Sequence, residues 1–105
     1  MELAVKTDST RFKFVIPIAL NGVNTPSTRH SVRAAGHIVA ALAASAIGDD
    51  YDRRTVISVS SENSGLTPVI TITPIGINAP SGEELELIVN RAIVEADLTG
   101  FTADV

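Results

Sequence analysis

Apolar and polar positions alternate along four short stretches of this chain and fall at helical spacing along two longer ones. Near the N-terminus Leu3 and Val5 alternate with Ala4 and Lys6, and Asp8-Ser9-Thr10 turns the chain. Phe12, Phe14, Ile16 and Ile18 then alternate with Arg11, Lys13 and Val15. The second half repeats the scheme. Ile57 and Val59 alternate with Ser58 and Ser60, Glu62-Asn63-Ser64-Gly65 turns the chain, and Ile70 and Ile72 alternate with Thr71 and Thr73. A period of two marks a strand with one buried face. The polar loop with Gly65 suits a hairpin.

Each pair of strands leads into a helix. The first helix is predicted over about residues 26–47, with Val32, Ala35, Ile38, Val39, Leu42 and Ala46 as its core stripe. Its opposite side reads His30, Arg33, Ala34, His37, Ala41 and Ala44, so the supposed solvent face is alanine beyond His37. A helix that is apolar all round is usually covered all round, although alanine's helix propensity is the plainer explanation. Small residues at Gly36, Ala40, Ala43 and Ala44 would also let another backbone approach closely. An oligomer interface is therefore expected at Arg33, Gly36, His37, Ala40, Ala41 and Ala44. The second helix, 82–97, is an amphipathic surface helix with Leu85, Ile88, Val89, Ala92 and Ala96 inward and Glu83, Glu86, Asn90 and Asp97 outward.

The two halves share more than a pattern. Displaced by 54 residues, Val15, Ile16, Ile18, Gly22, Asn24, Pro26 and Ser27 fall on Val69, Ile70, Ile72, Gly76, Asn78, Pro80 and Ser81. The phrase GVNTPS returns as GINAPS. It reads as a strand-to-helix corner: the glycine takes a positive φ and the proline fixes φ near the helical value. Thr25 is the expected N-cap of the first helix with Pro26 at its first position. Ser81 and Glu84 form a capping box on the second, and the cap is free to shift by a residue or two between copies.

These elements predict one domain over 1–105, built from repeat units 1–51 and 55–105. The fold class is α+β: a two-layer ββα-ββα sandwich, with a four-stranded, mainly antiparallel sheet carrying both helices on one face. The alternative is a ferredoxin-like βαββαβ order, in which residues 2–7 form no strand and a short strand follows Gly100.

Composition narrows the chemistry. The chain has 105 residues and no cysteine, which excludes disulfides and thiolate sites. Net charge is −4, split between five basic and four acidic groups in 1–51 and three basic and eight acidic in 52–105. That split argues against a general polyanion binder. The N-terminus lacks a basic region followed by an apolar one, and the uncharged helical run 34–47 is short for a bilayer of about 30 Å. A cytoplasmic or virus-particle location without membrane contact is the expectation.

Neither catalysis, a cofactor nor a metal is indicated. His30 and His37 lie two helical turns apart, roughly 10 Å, which is too far to share a metal ion. No acid stands three or four residues from either on this helix to form an acid-base pair. Asp49, Asp50 and Asp52 follow Gly48, a natural residue just past a helix end, and lack the ligand ladder of a calcium loop. The glycine loops lack the lysine and spacing of a phosphate loop.

The reading that remains is a non-enzymatic structural or interaction protein that self-associates through the alanine-rich helix. A second reading uses the sheet face away from the helices, where Lys6, Arg11 and Lys13, with Arg53 and Arg54 nearby, would contact nucleic-acid phosphates in a small viral coat or regulatory protein. The aromatic stacking platforms of single-strand readers are missing, because Phe12 and Phe14 point the other way. A third reading makes the helix bearing Glu83, Glu84 and Glu86 an acidic inhibitor that mimics nucleic acid.

Overall fold

The computed structural model describes residues 9–16 and 24–98. Its elements are β1 (Thr10–Lys13), α1 (Pro26–Asp50), β2 (Val56–Glu62), β3 (Thr67–Thr73) and α2 (Gly82–Ala96). Among the described residues the sheet has three strands in the order β1-β3-β2, and both pairings are antiparallel. The expected strand at Leu3–Val5, and the strand after Gly100 in the alternative order, lie outside the described residues. A split βαβ unit makes the first and second strands of the βαββαβ order parallel, with the third between them and antiparallel to both. The β1-β3-β2 order with its antiparallel β1–β3 register, Phe12 on Ile70 and Lys13 on Val69, fits both orders, which differ only in the strand that would flank β1.

Register determines which residues face the helices. Phe12, Val59 and Ile70 stand abreast, as do Thr10, Ile57 and Ile72, and these side chains point toward the core. Arg11, Ser58 and Thr71 point the other way with Lys13, Ser60 and Val69. That outer face is not wholly open, since Val69 is fully buried and Thr73 shares a hydrogen bond with Ser9. The hairpin between β2 and β3 turns through Asn63, Ser64 and Gly65, all at positive φ, where asparagine and glycine are the tolerant residue types.

Both helices lie over one face of this sheet, α1 against β2 and β3 and α2 beside α1 and over β1. Their starts follow the expected chemistry. Thr25 caps α1 by accepting from the Thr28 N–H, and Pro26 opens the first turn. On α2 the Ser81 side chain accepts from the Glu84 N–H while the Glu84 carboxylate accepts from the Ser81 N–H. In the 54-residue alignment Thr25 corresponds to Ala79, so the cap has moved two positions between the copies.

Two expectations for α1 are corrected. It does not stop before Gly48 but continues to Asp50, and Tyr51 closes it by donating its N–H to the Ile47 carbonyl. Its buried stripe is also displaced, comprising Thr28, Val32, Ala35, Gly36, Val39, Ala40, Ala43 and Ile47. Ile38 is 40% exposed, and Leu42 and Ala46 are only half-buried. The cause is double contact: α1 meets the sheet and α2 at once, so it buries a wider arc of small residues than a single contact would. Gly36 marks the closest approach. A Cβ placed there would stand 2.8 Å from Val59 Cγ1 and 3.6 Å from Pro68 Cβ, so the helix rides over β2 and β3 together.

At 25 residues α1 is long and apolar enough to cross a bilayer by length and composition, a test that core helices also pass. Its buried stripe faces the sheet and α2.

Candidate functional site

The expected interface on α1 is divided by the fold. Gly36 and Ala40 are buried against the chain's own sheet and neighbours, whereas Arg33, His37, Ala41 and Ala44 are exposed. The small residues that suggested a foreign backbone therefore serve in part to let α1 approach β2. What is left is a stripe of two short alanines flanked by cationic or ionisable residues, lying beside a strand that has a neighbour on one side only among the described residues.

Between that stripe and β2 runs a broken groove. At the C-terminal end of α1 a cleft of about 420 Å³ is lined by residues including Ala44, Ser45, Asp49, Thr55 and Ile57. A second, also about 420 Å³, lies between Arg33 and His37 on the helix and Val59, Ser60 and Ser61 on the strand. A third of about 230 Å³ adjoins it at Arg29, His30, Arg33, Ser61 and Gly65. Ile57 and Val59 supply apolar floor, and the rims are basic toward the start of α1 and carry both Asp49 and Arg53 at its end. Volumes of this size suit side chains of a docked segment, and a strand edge without a neighbour among the described residues is a template for another strand. Sequence reasoning missed β2's part in this surface. The signal was available in the alternation of Val56, Ser58 and Ser60 with Ile57 and Val59, but not the order of strands that left β2 at an edge.

The basic face expected for nucleic acid is largely balanced within the chain. Arg11 and Lys13 both pair with Glu62, the lysine at 2.6 Å, bridging across β3. Those two cations, Lys13 first, hold the Glu62 carboxyl below its ordinary 4.5. Arg54 wraps Asp52, donating from Nε to Oδ1 at 2.9 Å and from its backbone N–H at 3.0 Å. The side-chain bond, followed by the backbone one, lowers the Asp52 pKa from 3.8 to about 2. Arg53 donates to the Gly48 carbonyl at 3.1 Å and lines the first cleft. Lys6 lies outside the described residues.

The acidic helix is similarly occupied. Glu84 accepts from the Tyr51 hydroxyl as well as serving the capping box. The Tyr51 bond, then the Ser81 groups, lower its pKa, and the same bond raises that of Tyr51. Glu83 and Glu86 are exposed. His30 and His37 look into adjoining clefts and not into one site. Among the described residues no three His, Cys, Asp or Glu side chains gather as a metal set. No family model, curated protein or solved structure matches the chain.

Proposed function

We propose that this is a non-enzymatic structural or interaction protein that self-associates through the surface formed by the exposed side of α1 and the free edge of β2. One observation carries the reading. Arg33, His37, Ala41 and Ala44 stand exposed along a helix that overhangs β2, a strand with one neighbour among the described residues, with open clefts between the two. Two alanines allow close helix approach, and an edge strand of seven residues is a template for another strand. A cytoplasmic location accords with this reading.

The internal duplication belongs to the same proposal. It is supported by the β1–β3 pairing, in which Phe14 donates its N–H to the Pro68 carbonyl at 3.4 Å. Residues 14 and 68 are equivalent in the 54-residue alignment, and a local two-fold axis would bring equivalent residues face to face there. A chain already built on one two-fold extends readily by another.

The test is native mass by light scattering. The parent is expected at a multiple of 11.0 kDa. Ala41→Glu with Ala44→Glu should keep the helical circular dichroism and lower the mass to that of one chain, because each adds a desolvated charge at the contact. Unchanged mass in the variant would remove this surface from the assembly.

A further inference from the structure

The charges on α1 oppose its own dipole. Arg29, His30 and Arg33 crowd its first turns, where the first turn holds no acid, and Asp49 and Asp50 occupy its last turn, which holds no base. A helix in isolation prefers the reverse, since its N-terminal N–H groups attract anions and its C-terminal carbonyls attract cations. Arg53 answers part of this within the chain by donating to the Gly48 carbonyl at 3.1 Å, and a helix of the same charge order running antiparallel would answer both ends.

From this we infer that the partner on the α1–β2 surface is a second copy of this chain in one defined orientation. The copies are related by a two-fold axis at the edge of β2, β2 pairs antiparallel with its own copy, and the basic end of each α1 lies on the acidic end of the other. This rests on the self-association proposed above and specifies its geometry.

Three features are compatible with one axis. On the helix, the midpoint between Arg33 and Asp49 falls at Ala41, an exposed residue small enough to meet its own copy. On the strand, Ile57 lines the cleft shared with Ala44, and Val59 lines the one shared with His37. The level of Ala41 along β2 is therefore near Ser58, so the axis passes Ser58 as well. Spacing is the third feature. Gly36 places α1 over the gap between Val59 of β2 and Pro68 of β3. Joining the sheets edge to edge puts the two α1 helices about two strand spacings apart, about 10 Å. Helices pack at 8–10 Å, toward the short end when small residues meet.

The joined assembly has a six-stranded sheet from the described strands of two copies, with all four helices on one face. The clefts beside Ala44 and His37 then receive side chains of the other copy. A parallel docking would place Arg29 and Arg33 on their own copies and lacks this compensation. Polar pairs of this kind fix orientation more than they add affinity.

The chain has no cysteine, so a single introduced thiol reports on the axis without background. Ala41→Cys is expected to form a disulfide-linked dimer on mild oxidation, because Cα atoms of facing residues at this helix spacing come within the 4.4–6.8 Å that a disulfide spans. Glu86→Cys, exposed on α2, should stay unlinked. In parallel, Arg33→Glu or Asp49→Arg alone should weaken the dimer by about tenfold or more, and the two together should restore most of it. A parent that is monomeric at all concentrations overturns both the self-association and this geometry. A stable dimer that leaves Ala41→Cys unlinked and ignores both charge reversals overturns the geometry alone. Stoichiometric capture of a foreign acidic strand by the monomer would also overturn it.

Discussion

Gly36 is the position at which the fold makes its strongest quantitative demand. A glycine within a helix ordinarily costs about 0.8–1.0 kcal/mol relative to alanine, so Gly36→Ala in an open helix would stabilise the protein by that amount. Here the added Cβ would lie 2.8 Å from Val59 Cγ1. Ordinary carbon contacts are about 3.5–4.0 Å, so the overlap approaches 1 Å. Val59 is β-branched and stiff at χ1, and it packs against the core from the middle of β2, so the helix must lift. Overpacking of this kind costs about 1–3 kcal/mol, leaving a net destabilisation of about 1 kcal/mol after the propensity gain. Gly48 provides the internal comparison. It is also helical, but its added Cβ would come no nearer than 3.7 Å, to Arg53 Nε. Gly48→Ala should therefore stabilise, by about 0.5 kcal/mol this close to the helix end. The assay is urea unfolding followed by circular dichroism, with Val59→Ala completing a double-mutant cycle. In the Val59→Ala background, Gly36→Ala should turn stabilising. If Gly36→Ala stabilises the parent as much as Gly48→Ala does, the close approach of α1 to β2 is wrong.

Further outcomes follow from the corner at Gly76 and from the titrating groups. Gly76 sits at φ 113° and an added Cβ would overlap the Asp52 carboxylate. Gly76→Ala should cost about 2 kcal/mol or more in urea unfolding, and a loss within experimental error would refute the strained corner. Acid stability follows from three depressed carboxylates. Asp52 is held down by Arg54, Glu62 by Lys13 and Arg11, and Glu84 by Tyr51 and Ser81. Because their folded pKa values lie below the unfolded ones, their contribution is complete above the ordinary values of 3.8 and 4.5 and disappears as pH falls through the folded values, about 2 for Asp52. The urea midpoint should hold between pH 7 and 5 and drop below about pH 4.5. Tyr51 acts at the other end: its pKa is raised by Glu84, so its contribution is present below 10 and is lost as pH climbs through the folded value. A midpoint that rises on acidification would contradict the carboxylate assignments.

The local level of this fold was legible in the chain. Period-two alternation located β2 and β3, and polar Glu62-Asn63-Ser64-Gly65 located their turn. The Thr25-Pro26 and Ser81-Glu84 caps located both helix starts, because capping is settled by neighbours within one turn. The end of α1 was misread at Gly48, since glycine past a helix end is a frequent choice and not a requirement. The rotation of its buried stripe away from Ile38 could not be read either, since it depends on two packing partners distant in sequence.

For the functional surface the division is similar. The sequence determined that α1 carries alanines where a surface helix carries charge, that its bases precede its acids, and that the chain has no thiol chemistry. Tertiary structure alone decided that Gly36 and Ala40 would be used against the chain's own sheet while Arg33, His37, Ala41 and Ala44 stayed outside. It also decided that Arg11 and Lys13 would meet Glu62, about fifty residues away, and that β2 would stand at an edge of the described sheet beneath α1. Helical and strand periods are local properties, set by the geometry of a few consecutive residues. Strand order, charge pairing and the choice of which small residues touch which backbone arise from long-range packing, which one-dimensional patterning does not encode.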